Sequence, residues 1–129
     1  MISRHIFISF SHEDLQDVNL LRGQAKNSNL SLQFDDYSIK SPFNSIDAYY
    51  IKKNISEKIR RCSVTMVYLT KNSAFSDWVR WEIQESQRQD KKVFAIYKEG
   101  YKPYYKNSIF DSIKIIPWRH DLIMNELNN

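Results

Sequence analysis

The sequence predicts one α/β domain over residues 1–129, in which helices cover both faces of a five-stranded parallel sheet. Short apolar runs alternate along the chain with longer segments of helical periodicity, and this alternation is typical of parallel sheets with right-handed crossovers. The 129 residues are 42% hydrophobic and 14% aromatic, which suits a packed core. The sequence shows no internal repeat or linker that would divide the chain.

The first third of the chain predicts a strand, a helix and a second strand. Residues 6–8 are an apolar run followed by polar residues, as in a buried parallel strand. Leu15 begins a row of apolar residues spaced by three, which predicts a helix that Asp14 caps and that ends near Gly23. Alternating polarity over residues 30–34 predicts the second strand.

The middle of the chain predicts two helices on either side of a third strand. A long polar loop over residues 37–48 comes first. Isoleucines spaced by four then predict a basic helix over residues 49–61, and the apolar run at residues 64–69 predicts the strand. After a polar turn, the next helix is expected to run to about Asp90.

The last third predicts a fourth strand over residues 93–97, a loop rich in lysine and tyrosine over residues 98–110, and a short fifth strand near residues 113–116. A C-terminal helix is expected from about Arg119. In the flavodoxin-like strand order 2-1-3-4-5, the order reverses between strands one and three. Ligands of such sheets bind at that crevice, outside the carboxyl ends of the strands.

The helix after the third strand carries the first candidate site. Ser76 or Asp77 is placed to cap this helix, and Trp78 and Glu82 are four residues apart on one face. A flat apolar ring beside a carboxylate is suited to an aromatic cationic substrate. The alternative is that Trp78 is a core anchor and Glu82 a solvated helix charge.

Net charge, cysteine content and the length of apolar runs limit the classes of protein to which the chain can belong. The net charge of +4 helps attract a phosphorylated ligand but is too diffuse to indicate nucleic acid. A single cysteine, Cys62, favours a reducing cytosol, and it is expected to be a small buried apolar residue. The sequence shows neither a signal peptide nor an apolar run long enough to span a membrane, so we expect a cytoplasmic protein.

Several common chemistries do not fit the sequence. Its two glycines cannot form a Gly-rich phosphate loop. The three histidines have no metal-ligand spacing, so no metal site is expected. A phosphoacceptor receiver domain would share the fold, but the third strand ends at Leu69 and Thr70 without an aspartate to accept phosphate.

Two stretches resemble the signature boxes of Toll/interleukin-1 receptor (TIR) domains. Residues 4–14 are a strand followed by Ser-aromatic-Ser and acidic residues, and residues 76–83 contain Ser-x-Trp, three residues and Glu. Ile-Ile-Pro-Trp at residues 115–118 lies where the family carries an aromatic near the last helix. The second box is similar to the prokaryotic TIR-like branch that includes the Thoeris anti-phage sensors. The resemblance covers about residues 4–126.

The resemblance implies an enzyme that cleaves NAD+, with Glu82 as the catalytic carboxylate. Nicotinamide leaves as a neutral molecule from a cationic ring, so one carboxylate is enough to oppose the oxocarbenium-like transition state, unlike the pair in ordinary glycosidases. NAD+ is then the substrate, and no other cofactor is expected. The family's substrate contacts come from the loop after the first strand, here Ser9, Phe10, Ser11 and His12.

Each further candidate has a structural alternative. Asp36 is placed to orient ribose hydroxyls, but acidic pairs after strands also form turns. Phe10 either stacks on the substrate or caps the core, and Trp78 is the other stacking candidate. His12 is either a base or an ordinary loop histidine. Trp81 is expected to be a packing residue.

The resemblance also names partners. By family, the product is a cyclic ADP-ribose isomer, an ADP-ribose conjugate or plain ADP-ribose, and it acts on a separate effector in anti-phage defence. A phage-derived activator and a second copy of the chain are further candidate partners, whereas a membrane and nucleic acid are not expected. The rival interpretation is a non-enzymatic adaptor that acts through TIR–TIR assembly, with Glu82 structural.

Overall fold

The fold is a three-layer α/β sandwich, seen here in a computed structural model that describes residues 4–27, 32–36, 42–101 and 109–128. A five-stranded, all-parallel sheet has the order β2-β1-β3-β4-β5. The strands are β1 (Arg4–Ser9), β2 (Leu32–Asp35), β3 (Val64–Tyr68), β4 (Lys92–Tyr97) and β5 (Lys114–Pro117). The four α-helices are α1 (Leu15–Asn27), α2 (Ala48–Arg61), α3 (Asp77–Arg88) and α4 (His120–Leu127). The predicted flavodoxin-like sheet order is confirmed.

The boundaries of α1 and β2 differ from the prediction. Gly23 lies inside α1, which continues to Asn27, because Leu21 and Ala25 keep one face of the helix buried. A glycine in a helix interior costs only about 1 kcal/mol relative to alanine, which this burial offsets. β2 includes Asp35, so the first acidic residue of the pair belongs to the strand rather than to the turn.

Alternation along β1 separates two cores. Ile6, Ile8 and Phe10 pack in the cluster that α1 and α4 cover. Phe7 faces the other way, into a cluster with three isoleucines of α2 and with Cys62. Consequently the side chain of Ser9, two residues beyond Phe7, lies on the face that α2 and α3 cover.

The loops that follow β1 and β3 meet at the carboxyl edge of the sheet. Thr70 Oγ1 donates a hydrogen bond to Asp14 Oδ2 at 2.5 Å, and Asn72 Nδ2 donates to Asp14 Oδ1 at 3.2 Å. Asp14, expected to cap α1, therefore joins the short 3-10 helix before α1 to the loop after β3. This junction lies at the reversal of strand order, where ligands of such folds bind.

Candidate active site

Glu82 lies in the middle of α3 and is fully buried, with 0% of its surface exposed. The helix begins where predicted, because Ser76 Oγ accepts a hydrogen bond from the backbone N–H of Val79 at 3.2 Å. The apolar neighbours Val79 and Ile83 of the same helix are also at 0% exposure. The interpretation of Glu82 as a solvated helix charge is therefore wrong.

The hydroxyl of Ser9 supports the Glu82 carboxylate. Ser9 Oγ donates a hydrogen bond to Glu82 Oε1 at 2.7 Å, and Ser9 is itself at 0% exposure. A buried carboxylate needs such donors because its charged form loses hydration in the interior. The first and second sequence boxes thus meet in one hydrogen bond between β1 and α3.

Two further buried hydroxyls, those of Thr65 and Ser86, fix α3 against the sheet. Ser86 Oγ donates to the backbone oxygen of Glu82 at 2.7 Å, and it is 2.7 Å from Thr65 Oγ1 of β3. All three residues are at 0% exposure. The axial position of the helix, and hence that of Glu82, is set from two neighbouring strands.

Trp78, one turn before Glu82, is half-buried at an aromatic cluster. The ring of Phe43, from the loop before α2, meets Trp78 edge to face at a centroid distance of 5.1 Å. Trp81 meets Trp78 in the same manner at 6.3 Å, and Lys52 Nζ lies 4.3 Å from the centroid of the Phe43 ring. Trp81 packs as predicted. Phe43 belongs to the loop predicted over residues 37–48, of which the structure describes residues 42–47.

The candidates of the loop after β1 lie apart from the Ser9–Glu82 pair. Phe10 is 2% exposed and packs in the core on the α1 and α4 side of the sheet, so the capping alternative describes its position. Ser11 donates its hydroxyl hydrogen bond to the Glu13 carboxylate, and this bond is the main cause that lowers the pKa of Glu13. His12 is exposed in the 3-10 helix.

The side chains of Asp35 and Asp36, at the end of β2, lie on opposite faces of the sheet. Asp36 forms an ion pair with Arg22 of α1. Burial lowers the pKa of Arg22, and the negative charge of Asp35 acts in the opposite direction. Asp35 pairs in register with Phe7 and lies 3.9 Å from the Cys62 thiol, on the same face as Ser9. The acidic residue on the face of the candidate site is therefore Asp35, which strict alternation along β2 would have indicated.

Surface clefts lie beside this edge of the sheet and on the outside of the helices. One, of about 440 Å³, opens beside the ends of β3 and β4 and includes Tyr68, Lys71, Lys98 and Tyr101. Lys98 Nζ lies 5.4 Å from the Tyr101 ring centroid. Another, of about 370 Å³, lies between the outer surfaces of α2 and α3. Tyr104 and Tyr105, in the loop predicted over residues 98–110, lie outside the described residues.

Neither a metal-ligand cluster nor a membrane-spanning helix occurs in the part of the chain that the structure describes. That part of the chain contains no group of three or more His, Cys, Asp or Glu side chains that could hold a metal ion. Within the same ranges, no helix has the length and apolar character needed to cross a membrane.

Known proteins match both the sequence and the fold. The family described as Thoeris protein ThsB, TIR-like domain, matches residues 7–103. ThsB1 of Bacillus cereus strain MSX-D12, whose name proposes a cyclic ADP-D-ribose synthase, is 26% identical over 110 residues, which are 82% of this chain. The chain spans only 57% of the length of that relative.

Two solved structures share the fold at low sequence identity. A 2-deoxyribosyltransferase from the psychrotolerant bacterium Bacillus psychrosaccharolyticus aligns with a TM-score of 0.66 and 17% identity, over 94% of this chain and 90% of its own. The TIR domain of the Toll-related receptor TRR-2 from Hydra magnipapillata aligns with a TM-score of 0.63 and 13% identity, over 93% of this chain and 88% of its own. The family match extends over about three-quarters of the chain, from the middle of β1 to beyond β4, and includes most of the first predicted box and all of the second. The chain therefore belongs to the family of the TIR-like domain of the Thoeris protein ThsB.

Proposed function

We propose that this chain cleaves the bond between nicotinamide and ribose in NAD+, with Glu82 as the catalytic carboxylate. The observation that carries the proposal is the hydrogen bond of 2.7 Å from Ser9 Oγ to Glu82 Oε1, at the carboxyl end of β1. When ionised, a buried carboxylate fixed by a neighbouring hydroxyl is a preorganised negative charge. Such charges stabilise a transition state because they need no reorganisation during the reaction.

The chemistry requires little more than this carboxylate. As the bond to nicotinamide breaks, positive charge moves from the ring to the ribose, and the bonding electrons leave with neutral nicotinamide. The leaving group needs no proton, so a second carboxyl group acting as acid is unnecessary, in contrast to ordinary glycosidases. Glu82 opposes the positive charge on the ribose, and the ring of Trp78 offers a face to nicotinamide while it is still cationic.

The comparisons support the same class of reaction. The relative from Bacillus cereus is named for synthesis of cyclic ADP-D-ribose, and the structural neighbour from Bacillus psychrosaccharolyticus is named for transfer of 2-deoxyribose. Both names concern the bond that joins a ribose to its base or its acceptor. We propose that the product here is a diffusible ADP-ribose derivative, made in the cytoplasm, that acts on a separate effector in anti-phage defence.

Substrate entry requires movement, because Glu82 is at 0% exposure. The loop before α2 is the candidate, since Phe43 rests on Trp78 at 5.1 Å, one helical turn from Glu82. Loops of this kind often act as lids over active sites. We propose that displacement of Phe43 opens the way to the carboxylate, and that an activator or assembly of several copies promotes it.

The complete burial of Glu82 also favours a rival function. A carboxylate with a structural role, in an adaptor that acts only by TIR–TIR assembly, would be buried in the same way. The two functions are separated by incubating the purified protein with NAD+ and following nicotinamide release by chromatography, at rising protein concentration and with lysate of phage-infected cells. Nicotinamide release supports the enzyme, and its absence under all these conditions supports the adaptor.

A further inference from the structure

The outer surface between α2 and α3 carries a groove that the proposed reaction does not use. This α2–α3 groove has a volume of about 370 Å³ and is lined by Tyr49, Lys52, Lys53, Ser56 and Trp81, together with two ion-paired acidic residues. It lies on the outside of the helices, whereas Glu82 points into the interior. The groove is therefore distinct from the site at the carboxyl edge of the sheet.

An exposed apolar strip borders the groove at the start of α2. Ile46 is 98% exposed, Tyr49 79% and Tyr50 66%. Ile46 lies in the turn just before α2, and Tyr49 and Tyr50 lie in the first turn of the helix. Large apolar side chains clustered at this exposure indicate an interaction surface, because tyrosines of this kind are enriched where proteins meet.

The charges around the groove are predominantly positive. The acidic residue Glu57 is already paired with Arg60, at an N–O distance of 2.8 Å, and Glu85 is paired with Arg88 at 2.5 Å. Lys53 is exposed, and Lys52 reaches across the rings of Phe43 and Trp81. With both acidic side chains neutralised by arginines, the lysines set the sign of the local potential.

We propose that the α2–α3 groove binds an acidic segment of a protein partner, and that this segment also carries aromatic or aliphatic side chains. Carboxylates of the segment face Lys52 and Lys53, and its apolar side chains cover Tyr49 and Trp81. A second copy of this chain fits less well. A two-fold dimer on this surface would bring the lysines of one copy against those of the other, and the whole chain carries a net charge of +4.

Binding in the groove has a direct route to the candidate active site. Lys52 Nζ is 4.3 Å from the Phe43 ring centroid, and Phe43 is 5.1 Å from the ring of Trp78. A carboxylate that attracts Lys52 draws it from Phe43, and this weakens the contact that holds the loop over Trp78. This step alone rests on the proposed function; the groove itself does not.

The test uses the whole chain and a short synthetic peptide that alternates glutamate with leucine and tyrosine and lacks tryptophan. Emission from the three tryptophans of the protein reports binding, since Trp81 lines the groove. We expect a saturable change with the acidic peptide. The double variant Lys52→Glu/Lys53→Glu should weaken binding about tenfold or more and should prefer a peptide with lysine in place of glutamate.

The matched control reverses two lysines of the other cleft, in Lys71→Glu/Lys98→Glu, and should bind like the wild type. Tyr49→Ala is the second test variant if the double reversal does not fold. Equal binding by the wild type, the reversal and Tyr49→Ala overturns the proposal, as does the absence of saturable binding.

Two other occupants are outcomes of the same experiment. Binding of oligothymidylate that is stronger than binding of the acidic peptide, and that depends on Lys52 and Lys53, would assign the groove to nucleic acid. A mass that rises with concentration, and falls again in Tyr49→Ala, would assign it to self-association. Either result overturns the proposal. Because the titration contains no NAD+, peptide binding can be absent while nicotinamide release is still observed. Failure of the groove proposal is therefore distinguishable from failure of the proposed function.

Discussion

Ser9 and Glu82 are 73 positions apart in the chain and are joined by a hydrogen bond of 2.7 Å in the interior. The bond links the last residue of β1 to the middle of α3. It therefore depends on the correct packing of two elements and not on local sequence. We expect this bond to give Ser9 a positioning role, whereas the family resemblance implied a substrate contact, and kinetics distinguish the two roles.

Replacing Ser9 tests this positioning role. In Ser9→Ala the Glu82 carboxylate loses a donor, so we expect kcat for nicotinamide release to fall about tenfold while KM changes little, because the alanine removes no substrate contact. The free energy of unfolding should fall by about 1–2 kcal/mol. Kinetics and urea denaturation measure both. Ser63→Ala, which removes an exposed hydroxyl bonded to the His5 carbonyl, is the control. A large rise in KM with unchanged kcat would instead show a substrate contact.

Phe43→Ala tests the proposed lid. Without the edge-to-face contact at 5.1 Å, the loop should leave Trp78 more often. We expect faster proteolysis within residues 42–47 and a several-fold fall in KM for NAD+, because the closed state, in which Phe43 blocks the way to Glu82, is less populated. Phe75→Ala, at an exposed aromatic after β3, is the matched control. Unchanged proteolysis and unchanged KM in Phe43→Ala would remove the lid.

Acid should destabilise the protein through Glu85. The pKa of Glu85 is lowered from 4.5 to about 2, and the hydrogen bonds from Arg88 are the largest cause. Burial acts in the opposite direction, whereas hydrogen bonds from Ser56 and Gln89 lower the pKa further. Because the pKa is lowered in the folded state, this stabilisation is complete above pH 4.5 and is lost as the pH falls towards 2. Since the Arg88 side chain is 70% exposed, we expect a loss on the order of 1–2 kcal/mol.

The loss is measured by urea denaturation at pH 5 and at pH 2.5. Arg88→Ala should reduce the difference in unfolding free energy between the two pH values. Arg60→Ala removes a pair of the same spacing, Arg60–Glu57, in which both side chains are exposed, and it should leave the difference unchanged. Equal effects of the two substitutions would contradict the role of Glu85.

Cys62 should be unreactive in the native protein. The residue is 2% exposed, and burial is the main cause that raises the pKa of its thiol to about 11, with Asp35 nearby adding to the effect. The thiolate is therefore scarce at pH 8. We expect modification by iodoacetamide, followed by mass spectrometry, to be slow in buffer and fast in urea. Rapid modification of the folded protein at pH 8 would contradict this burial.

The sequence allowed the cap of α3 to be predicted from local pattern, and the sheet order and the neighbouring placement of the two boxes to be predicted from the flavodoxin-like order expected of an alternating α/β chain. It did not allow the end of α1 to be predicted. Gly23 resembles a helix stop, and only the tertiary burial of Ala25 carries the helix past it. The contact of Phe43 with Trp78 could not be predicted, because nothing in the local sequence distinguishes Phe43 from any other loop aromatic.

The split of Asp35 and Asp36 shows how a site can be misassigned by one position. A shift of one residue along a strand moves a side chain to the opposite face of the sheet. Asp36 reaches Arg22, while Asp35 shares the face of Ser9. The burial of Glu82 likewise depends on how α2 and α3 pack on the sheet, which no local pattern specifies. The assignment of substrate contacts stays a prediction for all six candidates, which are Ser9, Phe10, Ser11, His12, Asp36 and Trp78.

The catalytic role of Glu82 is tested by nicotinamide release from NAD+ in Glu82→Gln, measured beside the wild type and Glu85→Gln under conditions in which the wild type is active. Glutamine keeps the oxygen that accepts from Ser9 but removes the charge, so we predict a loss of kcat of about 100-fold or more with nearly unchanged thermal stability. Glu85→Gln alters the other buried carboxylate of α3 and should lower stability while keeping turnover. Wild-type turnover by folded Glu82→Gln would contradict the account.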